Sequence, residues 1–175
     1  PELAARLDRV KPAQAGALFS AAVGSLAYVR THSDDWQALA DLPRIEAVLK
    51  RLLVIGDPAD AGTVNSYLGI LNTLRPAALG GQPEQGRAYF EKAIELTGGQ
   101  DLSVLVEFAR SYARLVYDRE LHDSLLRRAL AADPTISHVG VVYSETGSGV
   151  IHDPGAIGAV VRAAGRRMIV DAVSA

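Results

Sequence analysis

Leucine is confined to one part of this sequence. All 21 leucines lie among the first 130 residues, and none follows Leu130. Valine and isoleucine together number 13 in the first 130 residues and 12 in the last 45. Because alanine and leucine favour helices and β-branched residues favour strands, the secondary-structure class is predicted to change near residues 131–134. We therefore expect a helical domain at 1–134 and a segment of different architecture at 135–175.

The helical domain has the pattern of six successive helices. Prolines in first turns and glycines beyond last turns mark most of the predicted ends, because these residues suit those positions. In the second helix, apolar residues share one face and Glu46 lies one turn before Lys50 on the other. The predicted helices cover residues 13–30, 43–55, 61–74, 83–96, 102–116 and 119–132.

These helices contain one element three times, with starts separated by 41 and 36 residues. Such spacing is typical of arrays of helical hairpins. Gly86, Phe90 and Ala93 also have the small–aromatic–small spacing of a tetratricopeptide second helix, in which small residues let two helices approach closely. A plain helical bundle with similar Ala and Leu spacing is the alternative. The repeated stretches are RLLVIGDP at 51–58, KAIELTGG at 92–99 and RALAADP at 128–134.

Three stretches of the helical domain carry a family likeness: ADLPRIEAVLKR at 40–51, GGQPEQGRAYFEKAIELTGG at 80–99 and the segment from SYAR to DRELHDSLL at 111–126. Together they make residues 10–134 similar to the TatT component associated with TRAP transporters. The resemblance implies a tetratricopeptide-like protein of the bacterial periplasm, usually lipid-anchored and homotrimeric. It also implies binding to a periplasmic substrate-binding protein and delivery of small apolar organic solutes.

Members of that family have a secretion and lipidation signal and further helices before the point where this chain begins, and a closing helix after the last repeat. This chain contains no such signal or lipobox. We therefore expect a truncated array that lacks its capping helices, with apolar faces exposed at both ends.

Residues 135–175 read as strand, loop, helix and strand. The predicted strands are HVGVVYS at 138–144 and RRMIVDA at 166–172, and a helix runs from Pro154 to about Ala164. A strand–helix–strand unit of this length needs a parallel sheet to complete it. The fold class predicted for the chain is therefore mainly α, with a short β-α-β-like segment at its C-terminal end.

The stretch SHVGVVYSETGSGVIHDPGAIGAVVRAAGRRMIVDAVSA resembles an internal part of 2-aminoethylphosphonate–pyruvate transaminase, which uses pyridoxal phosphate. The resemblance implies that Asp171 matches the aspartate that pairs with the pyridinium nitrogen, and that Thr146 matches a residue beside the ring. A Schiff-base lysine is also required, but Lys11, Lys50 and Lys92 all lie in the helical domain. We therefore treat both matches as vestigial and expect no cofactor.

No other pattern predicts a catalytic or metal-binding residue. The four histidines lack the spacing of metal motifs, and the chain has no cysteine. A net charge of −2 gives no basic field for capturing a nucleic-acid backbone. The uncharged stretch 12–29 is too polar for a membrane span and is interpreted as a buried amphipathic helix.

The aromatic residues Tyr28, Trp36, Tyr67 and Tyr112 are the candidates for a ligand groove, since amphipathic rings accept apolar solutes. Core packing is the alternative for each ring. The leading hypothesis is a non-enzymatic, periplasmic binding component of a TRAP-type system, with a substrate-binding protein as partner and an apolar solute as ligand. The alternatives are a general tetratricopeptide adaptor that binds peptides in its groove, and a catalytically dead aminotransferase fragment joined to helices.

Overall fold

The computed structural model of the protein describes residues 2–145, 150–151 and 153–173. It divides into two compact units, Pro1–Leu126 and Arg127–Ala175. Helices dominate the first unit, and the strands of the described residues lie in the second. The prediction of a mainly α fold is therefore confirmed.

The first unit consists of helices joined by short connections. Three-residue 3₁₀ turns precede three of the helices, at Pro12–Gln14, Pro58–Asp60 and Ala77–Leu79. The last helix of the series crosses the boundary into the second unit. The helices are α1 Glu2–Asp8, α2 Ala15–Thr31, α3 Trp36–Ala40, α4 Leu42–Ile55, α5 Ala61–Asn72, α6 Pro83–Leu96, α7 Leu102–Phe108 and α8 Arg119–Ala132.

The observed helices differ from the predicted ones mainly at their ends. α6 and α8 have the predicted bounds, whereas α4 and α5 differ by one or two residues at one end and α2 by one or two residues at both ends. The predicted helix 102–116 is interrupted, because α7 ends at Phe108 and a π-helical turn follows over Ala109–Ala113. The sequence analysis also missed α1 and α3, which are too short for a helical apolar period to be recognised.

The core of the first unit surrounds α5, of which nine residues out of twelve are buried. α5 packs against α4, α6 and α7. Its buried amides Asn65 and Asn72 donate hydrogen bonds to main-chain oxygens one turn earlier, at 2.8 and 2.9 Å. These bonds lower the cost of burying polar side chains in a helix that is covered on several sides.

Small residues let α5 and α6 approach closely. A Cβ at Gly69 would lie 2.9 Å from the ring of Phe90, and a Cβ at Gly86 would lie 2.5 Å from the Cγ2 of Thr73. Residue 69 of α5 thus faces residue 90 of α6, whereas residue 73 faces residue 86. The residue numbers increase in opposite directions along the two helices, so α5 and α6 form an antiparallel hairpin. The prediction that Gly86 allows a close helix approach is therefore confirmed.

The second unit contains a parallel pair of strands, β1 His138–Val142 and β4 Arg167–Asp171. The helix α9, Pro154–Ala163, lies between them in sequence and packs against β4. The predicted strand–helix–strand unit with parallel pairing is confirmed. The sequence analysis missed a short antiparallel pair, in which β2 Ser144–Glu145 is bonded to β3 Val150–Ile151.

Replacing Gly86 by alanine tests the close contact of α5 and α6. Gly86→Ala should lower the free energy of unfolding by about 1–3 kcal/mol, because the added methyl group must displace packed neighbours. Gly24→Ala is the matched control, since Gly24 lies in α2 and a Cβ there meets nothing within 4 Å. This control should raise stability by about 0.5–1 kcal/mol through helix propensity. Urea unfolding followed by circular dichroism measures both changes, and effects of the same sign would contradict the packing described.

Candidate functional site

Two of the four candidate aromatic residues lie at the surface. Trp36, the first residue of α3, is 81% exposed, and Tyr28 in α2 is 53% exposed. The Tyr28 ring stacks on His32, with 4.0 Å between the ring centroids and 18° between the planes. The connection from α2 to α3 thus carries exposed aromatic surface.

The other two candidates are more enclosed. Tyr67 in α5 is half-buried, and its ring meets that of Phe19 edge-on at a centroid distance of 5.5 Å. Tyr112, in the π-helical turn, is 3% exposed, and its ring lies 5.6 Å from that of Phe108. These candidates therefore contact neighbours of their own, and for Tyr112 the geometry favours the core-packing alternative.

Tyr112 connects the π-helical turn to α6 through polar contacts. Its hydroxyl donates to Oε1 of Glu84 at 3.0 Å, and the guanidinium carbon of Arg87 lies 5.8 Å from the ring centroid. Burial raises the pKa of the Tyr112 phenol above its ordinary value of 10.0, while the Arg87 cation beside it acts in the opposite direction. Tyr112 thus helps to fix the relative position of α6 and α7.

A cluster around Glu107 joins α2 to α7. The Glu107 carboxylate lies 3.8 Å from a guanidinium nitrogen of Arg30 and 3.7 Å from one of Arg110. It also accepts a hydrogen bond from the Ser111 hydroxyl at 3.1 Å. These groups are partly exposed, so the pairs add little to stability. The Arg30–Glu107 pair instead bears on the position of α2, the helix that also contains Tyr28.

A cleft of about 180 Å³ lies at one end of the α5–α6 hairpin. Its wall combines the first turn of α4, the end of α5 and the connection into α6. The volume is smaller than that of a typical pocket for a drug-sized ligand, so the cleft suits a small group. The residues lining it are Leu42, Pro43, Glu46, Leu71, Asn72, Arg75, Gly80, Gly81 and Gln82.

Sequence reasoning missed this cleft. Its residues come from three stretches of the chain, and none of these stretches has the pattern of a known binding motif. The only local signal is the pair Gly80–Gly81 before Gln82 and Pro83, which indicates a turn that leads into a helix.

The described residues of the second unit do not fit a site for pyridoxal phosphate. Asp171 is exposed, and its carboxylate accepts a hydrogen bond from the main-chain N–H of Val173 at 3.1 Å. Thr146 lies outside the described residues, as does His152. No lysine occurs in the sequence after Lys92. The lysine that this cofactor requires is thus absent from the segment that carries Asp171.

Two further observations bear on the kind of site this chain can hold. Within the described ranges, no three His, Cys, Asp or Glu side chains come together in a way that could hold a metal ion. In the same part of the chain, no helix combines the length and the apolar character needed to cross a bilayer.

The first unit defines the class of protein: a mainly α chain in which an antiparallel hairpin packs between further helices. The family model of the TRAP transporter T-component matches residues 1–140, four fifths of the chain. The chain belongs to this family. The resemblance predicted from the sequence of the helical domain is confirmed.

A shorter stretch is similar to curated aminotransferases. The chain is 51% identical over 57 residues to 2-aminoethylphosphonate–pyruvate transaminase 2 of Burkholderia lata, which covers 33% of this chain and 15% of that enzyme. It is 49% identical over 49 residues to 2-aminoethylphosphonate–pyruvate transaminase of Pseudomonas aeruginosa PAO1, covering 28% and 13%. The chain thus spans about a seventh of the length of these curated relatives. The second predicted resemblance is also confirmed, and its extent is that of a short segment.

The raised pKa of Tyr112 predicts a pH-dependent contribution to stability. The neutral phenol is favoured in the folded state, so its contribution is present below pH 10.0 and is lost as the pH rises through the higher folded-state value. Near neutral pH, Tyr112→Phe should cost about 1 kcal/mol through loss of the hydrogen bond to Glu84.

Urea unfolding of the wild-type chain and of Tyr112→Phe, near neutral pH and above pH 10.0, measures this difference. The gap in stability between the two proteins should narrow at the higher pH. A difference titration of tyrosinate absorbance should place the ionisation of this phenol above 10.0. A gap that stays constant across the whole range would contradict the assignment.

Proposed function

We propose that this chain is a non-enzymatic binding component of a TRAP-type solute transport system. In this proposal it works in the bacterial periplasm, contacts the substrate-binding protein of that system and assembles as a homotrimer, as the family resemblance implies. The observation that carries the proposal is the family match over residues 1–140. Its action is the burial of contact surface and the transfer of a bound solute, without bond chemistry.

Tetratricopeptide-like stacking is the architecture that we propose for the helical unit. The antiparallel α5–α6 hairpin packs against α4 on one side and α7 on another, and α2 packs against α4. Stacked hairpins of this kind bury apolar surface that a single helix pair would leave exposed, and they leave an extended surface for partners. This arrangement suits a protein that recognises another protein.

The surface that we propose for the substrate-binding protein is the connection between α2 and α3, together with Tyr28 and Trp36 on either side of it. Large exposed rings are costly in water, and Trp and Tyr are enriched at the centres of interfaces. The charged residues Arg30, Asp34 and Asp35 lie between Tyr28 and Trp36 in the sequence. An aromatic centre with a polar surround is the usual anatomy of a protein–protein interface.

For the apolar solute, we propose contact with the candidate rings that keep exposed surface. Tyr28 and Trp36 meet this condition fully, and half-buried Tyr67 meets it in part. Tyr112 acts in this proposal as an anchor for α6, because its ring is buried and its hydroxyl is bonded to Glu84.

Trp36→Ala tests the proposed receptor contact. Truncation of a central interface tryptophan typically costs more than 1–2 kcal/mol, so affinity for the substrate-binding protein of the same TRAP system should fall by about tenfold or more. Tyr117→Ala is the matched control, because Tyr117 is also an exposed aromatic residue, at 93%, outside the α2–α3 connection. Biolayer interferometry measures both affinities, and circular dichroism checks that both variants remain helical.

Two results would overturn the proposal. The first is a wild-type chain that forms no complex with the substrate-binding protein. The second is an equal loss of affinity in Trp36→Ala and Tyr117→Ala, which would place the contact elsewhere.

The single tryptophan gives a second, spectroscopic prediction. The indole of Trp36 is 81% exposed in the free chain, so a complex that buries it should shift its fluorescence emission to shorter wavelength. Incorporating azatryptophan into this chain alone separates its signal from that of the receptor's tryptophans. An unchanged spectrum at saturating receptor would exclude Trp36 from the contact.

A further inference from the structure

The cleft at the end of the α5–α6 hairpin contains an uncompensated positive charge. Among the described residues, half-buried Arg75 has no ion-pair or hydrogen-bond partner. The acidic residue in the wall, Glu46, is bonded to the Lys50 ammonium at 2.8 Å, and this hydrogen bond raises the pKa of Lys50. The Glu46 carboxylate is therefore already paired, and among the described residues that line the cleft Arg75 is the charged side chain without a partner.

A buried donor also lines the cleft. Asn72 is only 4% exposed, and its side-chain nitrogen donates one hydrogen bond, to the main-chain oxygen of Leu68 at 2.9 Å. This bond uses one of the two N–H groups of the carboxamide nitrogen. The main-chain N–H of Gln82 donates to the main-chain oxygen of Asn72 at 2.9 Å, which fixes the connection into α6 against the end of α5.

The connection between α5 and α6, which contains Arg75, has a tight backbone conformation at Gly80 and Gly81. Gly80 has a φ of +79°, and a Cβ at Gly81 would lie 1.7 Å from the main-chain oxygen of Arg75. The turn therefore requires glycine at 81, and it folds back directly on the backbone of Arg75. This holds the Arg75 main chain in place beside the cleft.

The first turns of two helices complete the wall. Leu42 and Pro43 begin α4, and Gln82 precedes Pro83 at the start of α6. Each helix has 14 residues and no side-chain hydrogen bond at its N-cap. The N-terminal ends of helices carry partial positive charge, and here the acidic residues Asp41, at the N-cap of α4, and Glu84, in the first turn of α6, lie beside them.

We propose that this cleft is a docking pocket for an acidic side chain of a protein partner, with the Arg75 guanidinium bound to its carboxylate. Arginine presents parallel N–H groups that match the two oxygens of a carboxylate. The apolar side chains of Leu42, Pro43 and Leu71 provide contact for a short aliphatic stem. The size and the mixed walls thus suit a glutamate side chain, and the pocket does not depend on which protein supplies it.

The test uses the full chain and two capped tripeptides, one with a central glutamate and one with glutamine, at constant ionic strength. Amide chemical shifts in ¹⁵N-labelled protein report binding. The glutamate peptide should produce saturable shifts at Gly80, Gly81 and the Asn72 side chain, with affinity about tenfold or more above that of the glutamine peptide. Glutarate is a separate arm that reports binding of a free dicarboxylic acid.

Variants assign the effect to the cleft. Arg75→Ala should lower the affinity for the glutamate peptide by about tenfold, whereas Arg114→Ala, which removes an exposed arginine elsewhere, should leave it unchanged. Gln82→Glu provides a second test that does not depend on losing Arg75. A carboxylate there should weaken peptide binding by repulsion, while the melting temperature stays the same or rises, because an acidic residue suits a helix N-terminus.

Four outcomes would overturn the proposal. They are the absence of saturable binding, equal affinity for the two peptides, an affinity unchanged in both Arg75→Ala and Gln82→Glu, and binding of glutarate without binding of the peptide. The last would identify a free acid rather than a protein side chain as the ligand.

Discussion

The packing of Phe90 determines how the helices of the first unit are spaced. Its ring is fully buried and lies against Gly69 of α5, where no Cβ would fit. The same ring stacks on Phe108 of α7, with 5.0 Å between centroids and 14° between planes, and Phe108 in turn contacts Tyr112. One line of aromatic rings therefore joins α6, α7 and the π-helical turn, and it contacts α5 at Gly69. The position of the cleft depends on this packing, because the cleft lies at one end of the α5–α6 hairpin.

The sequence predicted the regular part of this architecture well. The bounds of α6 and α8 could be found because proline and glycine mark helix ends by their own backbone geometry. Gly86 and Phe90 could be assigned to a close helix contact from their spacing alone. The π-helical turn could not be predicted, because one extra residue in a turn leaves no clear trace in a short apolar period. α3 was missed for a related reason, since five residues hold little more than one turn.

Two properties of the candidate site, the burial of its rings and the presence of the cleft, could not be predicted from the sequence. Trp36 and Tyr112 were grouped as aromatic candidates, yet one is 81% exposed and the other 3%. Residue type does not determine burial, which depends on neighbours that the fold brings from elsewhere. The cleft was missed for the same reason. Asn72, Arg75 and Leu42 form part of one wall only because α4, α5 and the connection into α6 meet there.

The second unit shows that a matching local structure and a catalytic site depend on different residues. A stretch at about half identity to aminotransferases is accompanied by a parallel β1–β4 pair, because short apolar runs are enough to specify such strands. Cofactor chemistry needs residues from distant parts of an enzyme, and Asp171 here accepts a hydrogen bond within its own turn. Likeness in secondary structure therefore does not by itself establish an activity.

Hydrogen exchange measured on the chain, with and without the TRAP substrate-binding protein, tests the receptor contact most directly. α3 has only five residues and an exposed first residue, so its amides should exchange rapidly in the free chain. Binding should slow exchange at residues 28–40 and leave β1 and β4 unchanged. A saturated complex in which residues 28–40 exchange as fast as in the free chain would contradict the assignment of this surface.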